Sequence, residues 1–345
     1  MKISRWMLVA GTATIVLGVA LAGSFGATKA PAAKAAIFKA ALVSDVAGFN
    51  DNGFNKLQLV GLKKQTALYG GKYYALVSHS SSDYTPNYNT AVNVDKANIV
   101  IAAGFLLGGT MNTWSAAHSG TKFAITDDSA AFVGGRANEE GITYATQEGG
   151  CLVGVLAAKY AASKGTKVIG VVGGIKIPPV DSYIAGYKFC AKKAVPGTTV
   201  VVQYSNDFVN QAACATLAQN EINIQHAQVI FQVAGLCGDG ALTKAASLGK
   251  MGIGVDADEF TVAPGHILTS ALKKTDVGVE RAIADAHNKT WHGGKDIVLN
   301  LKNNGVGVGK MSPQVLPAWK TLMNSYKAKI IAKTLKPPAV CSGAC

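Results

Sequence analysis

Side chains able to hold a polar ligand recur in this sequence directly after short apolar runs. In the first half they are Ser44-Asp45, the stretch Asn50-Asp51-Asn52-Gly53-Phe54-Asn55, the run from Ser78 to Asp83, Gly104-Phe105 and Thr126-Asp127-Asp128. In the second half they are Gly173-Gly174, Ser205-Asn206-Asp207-Phe208, Gly235-Leu236-Cys237-Gly238 and Asp256-Ala257-Asp258. Carboxylates accept hydrogen bonds from hydroxyl groups and aromatic faces stack on flat rings. The set therefore suits a polar ligand that carries a ring. Any single Asp or Asn here also serves to cap a following helix. Recurrence in both halves is what favours binding.

Catalytic chemistry is poorly served. No Gly-x-Ser-x-Gly elbow occurs. Gly305-Val-Gly-Val-Gly-Lys310 resembles a phosphate loop, but its spacing is wrong and Met311 stands where a magnesium-binding Ser or Thr belongs. Ser270-Ala-Leu-Lys273 matches a Ser-x-x-Lys pair without the partner motifs of that chemistry. The six histidines are dispersed, no Cys-x2-Cys occurs, and no His stands at ligand spacing from a Cys. No metal or cofactor is expected, and no nucleophile–base pair can be named. A binding protein is the expectation, not an enzyme.

The elements that must position these residues alternate. Strand candidates are Phe38–Val43, Lys72–Val77, Asn98–Ala102 and Lys122–Ile125, then Lys167–Val172, Thr199–Tyr204, Gln228–Val233 and Gly252–Val255. Their starts fall about 25 to 35 residues apart, the size of one βαβ unit. Apolar patterns of helical period lie at Phe54–Tyr69, Glu148–Ala162, Asp181–Ala194, Gln211–Ile222, Ala241–Leu248, Asp276–His287 and Leu316–Leu335. Near-continuous apolar strands are buried on both faces, so the sheets should be mostly parallel. Two such series predict two doubly wound α/β lobes joined by a hinge, with the break at Ala145–Gly150. Residues 37–145 with about 258–292 are assigned to one lobe, 146–257 with about 293–335 to the other, and 336–345 to an irregular tail. Ligands of open α/β sheets bind outside the carboxyl ends of the strands, where the residues above fall.

The chain of 345 residues carries Lys+Arg 33 against Asp+Glu 20, a formal charge of +13. The lysines are scattered and no run of five basic residues occurs, so the charge reads as general surface character and no nucleic-acid partner is expected. With 49% hydrophobic and 15% charged residues, a disordered chain is excluded. Lys2 and Arg5 precede an uncharged, largely apolar stretch, Trp6 to Leu21. Ala20-Leu21-Ala22 and a low-complexity Ala/Lys/Pro segment follow it. Residues 1–30 thus read as a cleaved signal peptide and linker, and the mature protein as periplasmic or secreted. An uncleaved anchor is the alternative.

Six cysteines in an exported chain favour disulfides. Cys214 begins the helix after the second strand of its lobe and Cys237 follows the third, so neighbouring strand ends bring them together. Cys151 and Cys190 flank one strand on consecutive helices and form the next pair, which leaves Cys341 with Cys345.

Leu42-Val-Ser-Asp-Val-Ala-Gly-Phe-Asn-Asp-Asn-Gly-Phe-Asn55 resembles the opening motif of the basic membrane protein family, the nucleoside-binding proteins of ABC transporters. Further blocks agree in order: Lys122 to Asp127, Glu148 to Gly154, Val172 to Tyr187, Gly254 to Asp258 and Thr269 to Lys273. The resemblance spans about residues 37 to 335. It implies a type I periplasmic-binding fold that closes on a purine nucleoside, with an ABC permease as membrane partner; a monomer is expected. Phe54 and Phe208 correspond to the family's two base-stacking rings. Asp45, Asp127, Asp256 and Lys273 correspond to its ligand-proximal charges, with Asn55 and Gly235 nearby and Asp256 as the ribose acceptor. Gly53 and Asn50 depart from the family's usual Ser and Asp. Ser24 stands at the lipobox cysteine position, so no lipid anchor is expected.

A sugar or nucleobase ligand on the same fold, or a ligand-sensing role, stays open. A nucleoside hydrolase would need a metal-held carboxylate cluster, and Gly53 and Phe54 interrupt the Asp-rich loop that such a cluster requires. Intact-mass analysis of the exported protein is expected to return an unacylated chain shortened by about 22 to 30 residues.

Overall fold

Lys39–Val43 is apolar after its lysine, and its last four residues are buried, so the chain there is a strand covered on both faces. The computed structural model describes residues 36–341 and 345; the expected signal segment, with Ser24, lies outside the described residues. The first series of strands is β1 (Lys39–Val43), β2 (Lys72–Leu76), β3 (Ile99–Ala102), β4 (Lys122–Thr126) and β5 (Glu139–Tyr144). Its helices are α1 (Phe54–Leu68), α2 (Tyr84–Asn89), α3 (Gly108–Ala117) and α4 (Ala130–Val133). The second series runs α5 (Thr146–Ser163), β6 (Val168–Gly173), α6 (Pro178–Ala194), β7 (Thr199–Tyr204) and α7 (Gln211–Asn223). It continues with β8 (Val229–Val233), α8 (Leu236–Ser247), β9 (Met251–Asp256) and β10 (Ile267–Lys273). Last come α9 (Thr275–Asn288), β11 (Lys295–Leu299), β12 (Val306–Val308) and α10 (Pro317–Ile331).

The strands form two six-stranded sheets, ordered β2-β1-β3-β4-β5-β11 and β7-β6-β8-β9-β10-β12. The two orders are the same path repeated, and each reverses direction beside its first strand, at β1/β3 and at β6/β8. Those reversals leave crevices at the carboxyl ends of the strands. Every pairing is parallel except β10 with β12. Alternate residues of the first sheet feed separate cores. Ala41, Val43, Val100 and Phe123 face one layer, and Ala40, Leu42, Ile99 and Ala124 face the other. This is why the strands read as continuous apolar runs.

The expected lobe boundaries need correction. β10 pairs with β9 in the second sheet, so residues up to Lys273 belong to the second lobe and the crossing does not fall at about 258. β11 pairs with β5 in the first sheet, so the return crossing follows Leu299 instead of about 292. Both strands are masked by polar residues: Thr269, Ser270 and Lys273 in one, Lys295 and Asp296 in the other. The glycine-rich 305–309 stretch is no phosphate loop but the edge strand β12. The chain thus crosses between lobes near Ala145, near Lys274 and between β11 and β12. The crossings are bound to one another: Ala145 N–H donates to Leu299 O at 2.8 Å and Lys274 N–H to Gly305 O at 2.9 Å.

Three disulfides close as expected, Cys214–Cys237, Cys151–Cys190 and Cys341–Cys345. Cys237 lies in the first turn of α8, not in a loop, because that helix begins at Leu236. Cys151–Cys190 joins α5 to α6, whose backbones touch. A Cβ on Gly154 would stand 2.4 Å from Tyr187 O, and one on Gly186 would stand 1.9 Å from Gln147 O. Real Cβ atoms do not approach backbone so closely, and here both neighbours are helix backbone. Gly154→Val is therefore expected to cost about 1–3 kcal/mol through overpacking, read as a lowered urea midpoint with the disulfide intact.

Candidate functional site

Between the facing strand ends lies a cavity lined by residues of both lobes. All eight residues singled out from the sequence line it: Asp45, Phe54, Asn55, Asp127, Phe208, Gly235, Asp256 and Lys273. Asp45 follows β1, Asp127 follows β4, Asp256 ends β9 and Lys273 ends β10, so the charged groups come from both lobes.

The first lobe organises its wall through two aspartates. Asp51 Oδ1 accepts the backbone N–H groups of Gly53 at 3.2 Å and Lys56 at 3.0 Å, and Oδ2 accepts that of Asn55 at 2.7 Å. Asp51 thereby satisfies the open first turn of α1 and fixes Phe54 and Asn55 at the helix start. Asn55 is fully buried and bridges the pair, donating to Asp45 Oδ1 at 2.7 Å and to Asp51 Oδ2 at 3.0 Å. Its side chain is thus engaged in holding the aspartates. Asp45 Oδ1 also accepts the Ala47 N–H at 2.9 Å. Among the described residues, Asp45 Oδ2 takes no hydrogen bond.

Asp127 and Asp256 occupy matching positions, after β4 and at the end of β9, and both take left-handed backbone, with φ of 66° and 61°. That conformation is uncommon outside glycine but tolerated by Asp, and it turns each side chain out of the strand's alternation. Asp127 pairs with Lys273 across the lobes, both side chains nearly buried at 8% and 3% exposure. The Lys273 ammonium also stands 4.6 Å from the Phe54 ring centroid and 5.2 Å from that of Tyr144. Asp256 Oδ1 accepts the Tyr183 hydroxyl at 3.2 Å.

The aromatic walls rest on glycines. A Cβ on Gly104 would lie 3.0 Å from the Phe54 ring, and one on Gly174 would lie 2.3 Å from that of Phe208. Phe54 belongs to the first lobe and Phe208 to the second. A further contact spans the lobes: Asn52 Nδ2 donates to Asp239 Oδ2 at 2.9 Å.

The sequence reading placed Asp51 and Phe105 among the strand-end residues without carrying them into the ligand set, and it did not name Tyr183, Ile177 or Val180; all five line the cavity. Asp51 and Phe105 stand at strand ends and were visible there. Tyr183, Ile177 and Val180 sit on or beside the first turns of α6, where only the neighbouring β9 and β10 reveal that they face the ligand space. Among the described residues, no cluster of His, Cys, Asp and Glu is arranged to hold a metal ion. No described helix is long and apolar enough to cross a membrane.

Four aspartates and one lysine make this an acidic site. Burial pushes the Asp45 carboxyl up to about 7; the Ala47 N–H and Asn55 amide restrain it, while Asp51 and Asp127 push it further. Burial raises Asp256 to about 6 against the pull of Lys273. Burial also raises Asp127, and the Lys273 ammonium opposes that rise.

Between about pH 4 and 7 the folded state therefore holds more protons than the unfolded chain, so these groups lose stability as pH rises through that window. The unliganded protein is expected to melt at a higher temperature near pH 5 than near pH 8. Asp45→Asn should flatten that slope, measured by thermal denaturation across pH. A slope that this substitution leaves unchanged would count against the Asp45 assignment.

A family model described as ABC transporter substrate-binding protein PnrA-like (Bmp) matches residues 38–339. The ABC transporter nucleoside-binding protein BmpA of Lactococcus lactis subsp. cremoris is 29% identical, over 79% of this chain and 81% of its own. Basic membrane protein A of Borreliella afzelii is 30% identical, over 87% of this chain and 91% of its own. Among solved structures, an ABC transporter solute-binding protein from Aeropyrum pernix K1 aligns with a TM-score of 0.79 at 22% identity, covering 87% of this chain and 94% of that one. The fold is that of the type I periplasmic solute-binding proteins.

Proposed function

Because this chain belongs to the Bmp family of PnrA-like ABC transporter substrate-binding proteins, we propose that it captures a purine nucleoside between its lobes for an importer. The family consists of extracytoplasmic solute-binding proteins, not enzymes, that work with ABC transporter permeases. The nucleoside class is supported by the relative named as nucleoside-binding. One observation carries it in this chain: a phenylalanine from each lobe and carboxylates from both lobes line a single cavity.

In this reading the base lies between Phe54 and Phe208, each contact contributing about 0.5–1.5 kcal/mol beyond the area buried. Ribose hydroxyls donate to Asp256, and the open Asp45 Oδ2 accepts from the base. Hydrogen bonds to a charged group are worth roughly 1.5–3 kcal/mol once closure removes water. Neither lobe alone offers both walls, so ligand favours the closed arrangement, which the Asn52–Asp239 bond also joins.

The same geometry argues for a nucleoside over a nucleotide. Pro178 and Pro179 open α6 and remove two N–H donors from its first turn, while Asp51 occupies those of α1. These two helix starts are thus poor in free anion-binding groups, and a phosphate would meet four aspartates against one lysine.

Calorimetric titration with adenosine, guanosine and inosine tests the proposal. Wild type is expected to bind at least one. Phe54→Ala and Phe208→Ala should fold and lose about tenfold or more in affinity. Asp256→Ala should lose about 1.5–3 kcal/mol. The matching 5′-monophosphate should bind at least about 100-fold more weakly, since an unpaired buried charge costs several kcal/mol. If wild type binds none of the three nucleosides, the ligand assignment falls while the fold stands.

A further inference from the structure

Phe208 is the wall with the least regular support. It lies on the connection from Ser205 to Asn210 between β7 and α7, and Asn206 there takes left-handed backbone with φ 55°. Asp207 Oδ1 accepts the N–H groups of Val209 at 2.6 Å and Asn210 at 3.0 Å, which shapes the loop but does not tie it to the lobe. Its start is held to the end of β6, where the Ser205 and Asn206 N–H groups donate to Gly173 O at 2.9 Å and Gly174 O at 3.2 Å, and at Phe208 itself the tie comes from α8. Phe208 O accepts the Cys237 N–H at 3.0 Å, and Cys237 is bonded to Cys214, one turn beyond the Asn210 cap of α7. Both cysteines are fully buried. Gly235, two residues before Cys237, lines the cavity and lies against Phe208: a Cβ there would stand 3.5 Å from Phe208 O. The two helix starts are clamped in register, since a Cβ on Gly240 would meet Gln211 O at 2.0 Å.

We propose that the Cys214–Cys237 disulfide is a positioning element of the binding site, holding the starts of α7 and α8 together so that the Phe208 ring stays set against the cleft. The affinity role rests on the reading of Phe208 as a stacking wall. Being buried, the bond is a permanent brace in an oxidising compartment and not a reversible switch. Its benefit is preorganisation: without it, the ring would have to be ordered at the moment of binding. Cys151–Cys190 provides the internal control. It also joins two consecutive helices of the second lobe, and like Cys214–Cys237 it does not itself line the cavity, but its cysteines pack with Leu301, Met323 and Tyr326 and not beside the loop that carries Phe208.

The experiment compares the full chain with Cys214→Ala/Cys237→Ala and with Cys151→Ala/Cys190→Ala, each with and without Phe208→Ala. In the unliganded proteins, hydrogen exchange is expected to accelerate about tenfold or more at positions 206–210 and 236–238 in the first pair variant only. Adenosine, guanosine and inosine are then titrated. Loss of Cys214–Cys237 is expected to weaken binding about five- to twentyfold when Phe208 is present and less than twofold when it is absent. Loss of Cys151–Cys190 should lower the melting temperature and leave affinity within about twofold. Equal losses in both Phe208 backgrounds, equal losses from the control pair, or unchanged local exchange would overturn the proposal. If wild type binds no nucleoside, the ligand reading fails, and the exchange arm alone decides the positioning: confined acceleration supports it and uniform or absent change refutes it. Should the alanine pair fold poorly, Cys214→Val/Cys237→Ala fills the buried space and is held to the same outcomes.

Discussion

A single ammonium group stands against four aspartates in the interior of the cleft. Lys273 is the only basic residue among those lining the cavity, against Asp45, Asp51, Asp127 and Asp256. It sits at the last residue of β10, immediately before the chain crosses to the other lobe, and it pairs with Asp127 on that other lobe. Taking both groups from water is costly, and the cost is offset only by close approach and by the rings of Phe54 and Tyr144 around the ammonium. With that cation paired to Asp127, Asp45 Oδ2 is left without a donor and Asp256 with the Tyr183 hydroxyl alone among the described residues. Burial answers by raising Asp45 and Asp256 toward neutrality in the empty state. A ligand rich in hydroxyl and N–H donors supplies what the protein withholds.

The backbone is arranged around that shortage. The two sheets repeat one strand order, and at the matching ends of β4 and β9 the chain enters left-handed backbone at Asp127 and Asp256. Such a conformation costs of order 1 kcal/mol or more for a residue with a side chain. It persists because the turn delivers a carboxyl into the crevice that the sheet reversal opens. At the matching ends of β3 and β8, Gly104 and Gly235 take positive φ as well, and their missing side chains leave room beside the Phe54 and Phe208 rings. Polar groups and flat walls therefore reach the cleft from equivalent points of two independent sheets.

This division explains what was legible in the sequence. β1, β3, β6 and β8 are buried on both faces, so their runs of Val, Ile and Ala announce themselves, and the residues just beyond them could be read as a site. β5 begins with Glu139 and Glu140, β10 carries Thr269 and Ser270, and β11 is a polar edge; each is a strand because of its neighbours, not its composition. Missing β10 and β11 displaced the lobe boundaries. It also hid the physical reason for Lys273, which could be assigned only through resemblance to a family motif. Tyr183 was silent for a related cause: a tyrosine inside an amphipathic helix reads as core until β9 brings Asp256 within 3.2 Å of its hydroxyl. The Cys214–Cys237 disulfide was readable because strand order places the starts of α7 and α8 side by side.

The overall charge and the site charge have opposite signs, and that separation is itself a selective device. Lys+Arg exceed Asp+Glu by 33 to 20 over the whole chain, so the outer field attracts anions, nucleotides and nucleic acid among them. Exposed charges are screened within about 8 Å at physiological salt, whereas the buried aspartates act at contact range in a poorly solvated crevice. In the proposed reading an anion drawn to the surface is disfavoured by the aspartates of the cleft, and a cation is disfavoured by the outer field. A neutral molecule with a flat face and several donors meets neither barrier. Selection against charge thus follows from where the lysines are kept, outside the cleft with one exception, and not from any contact to a particular base.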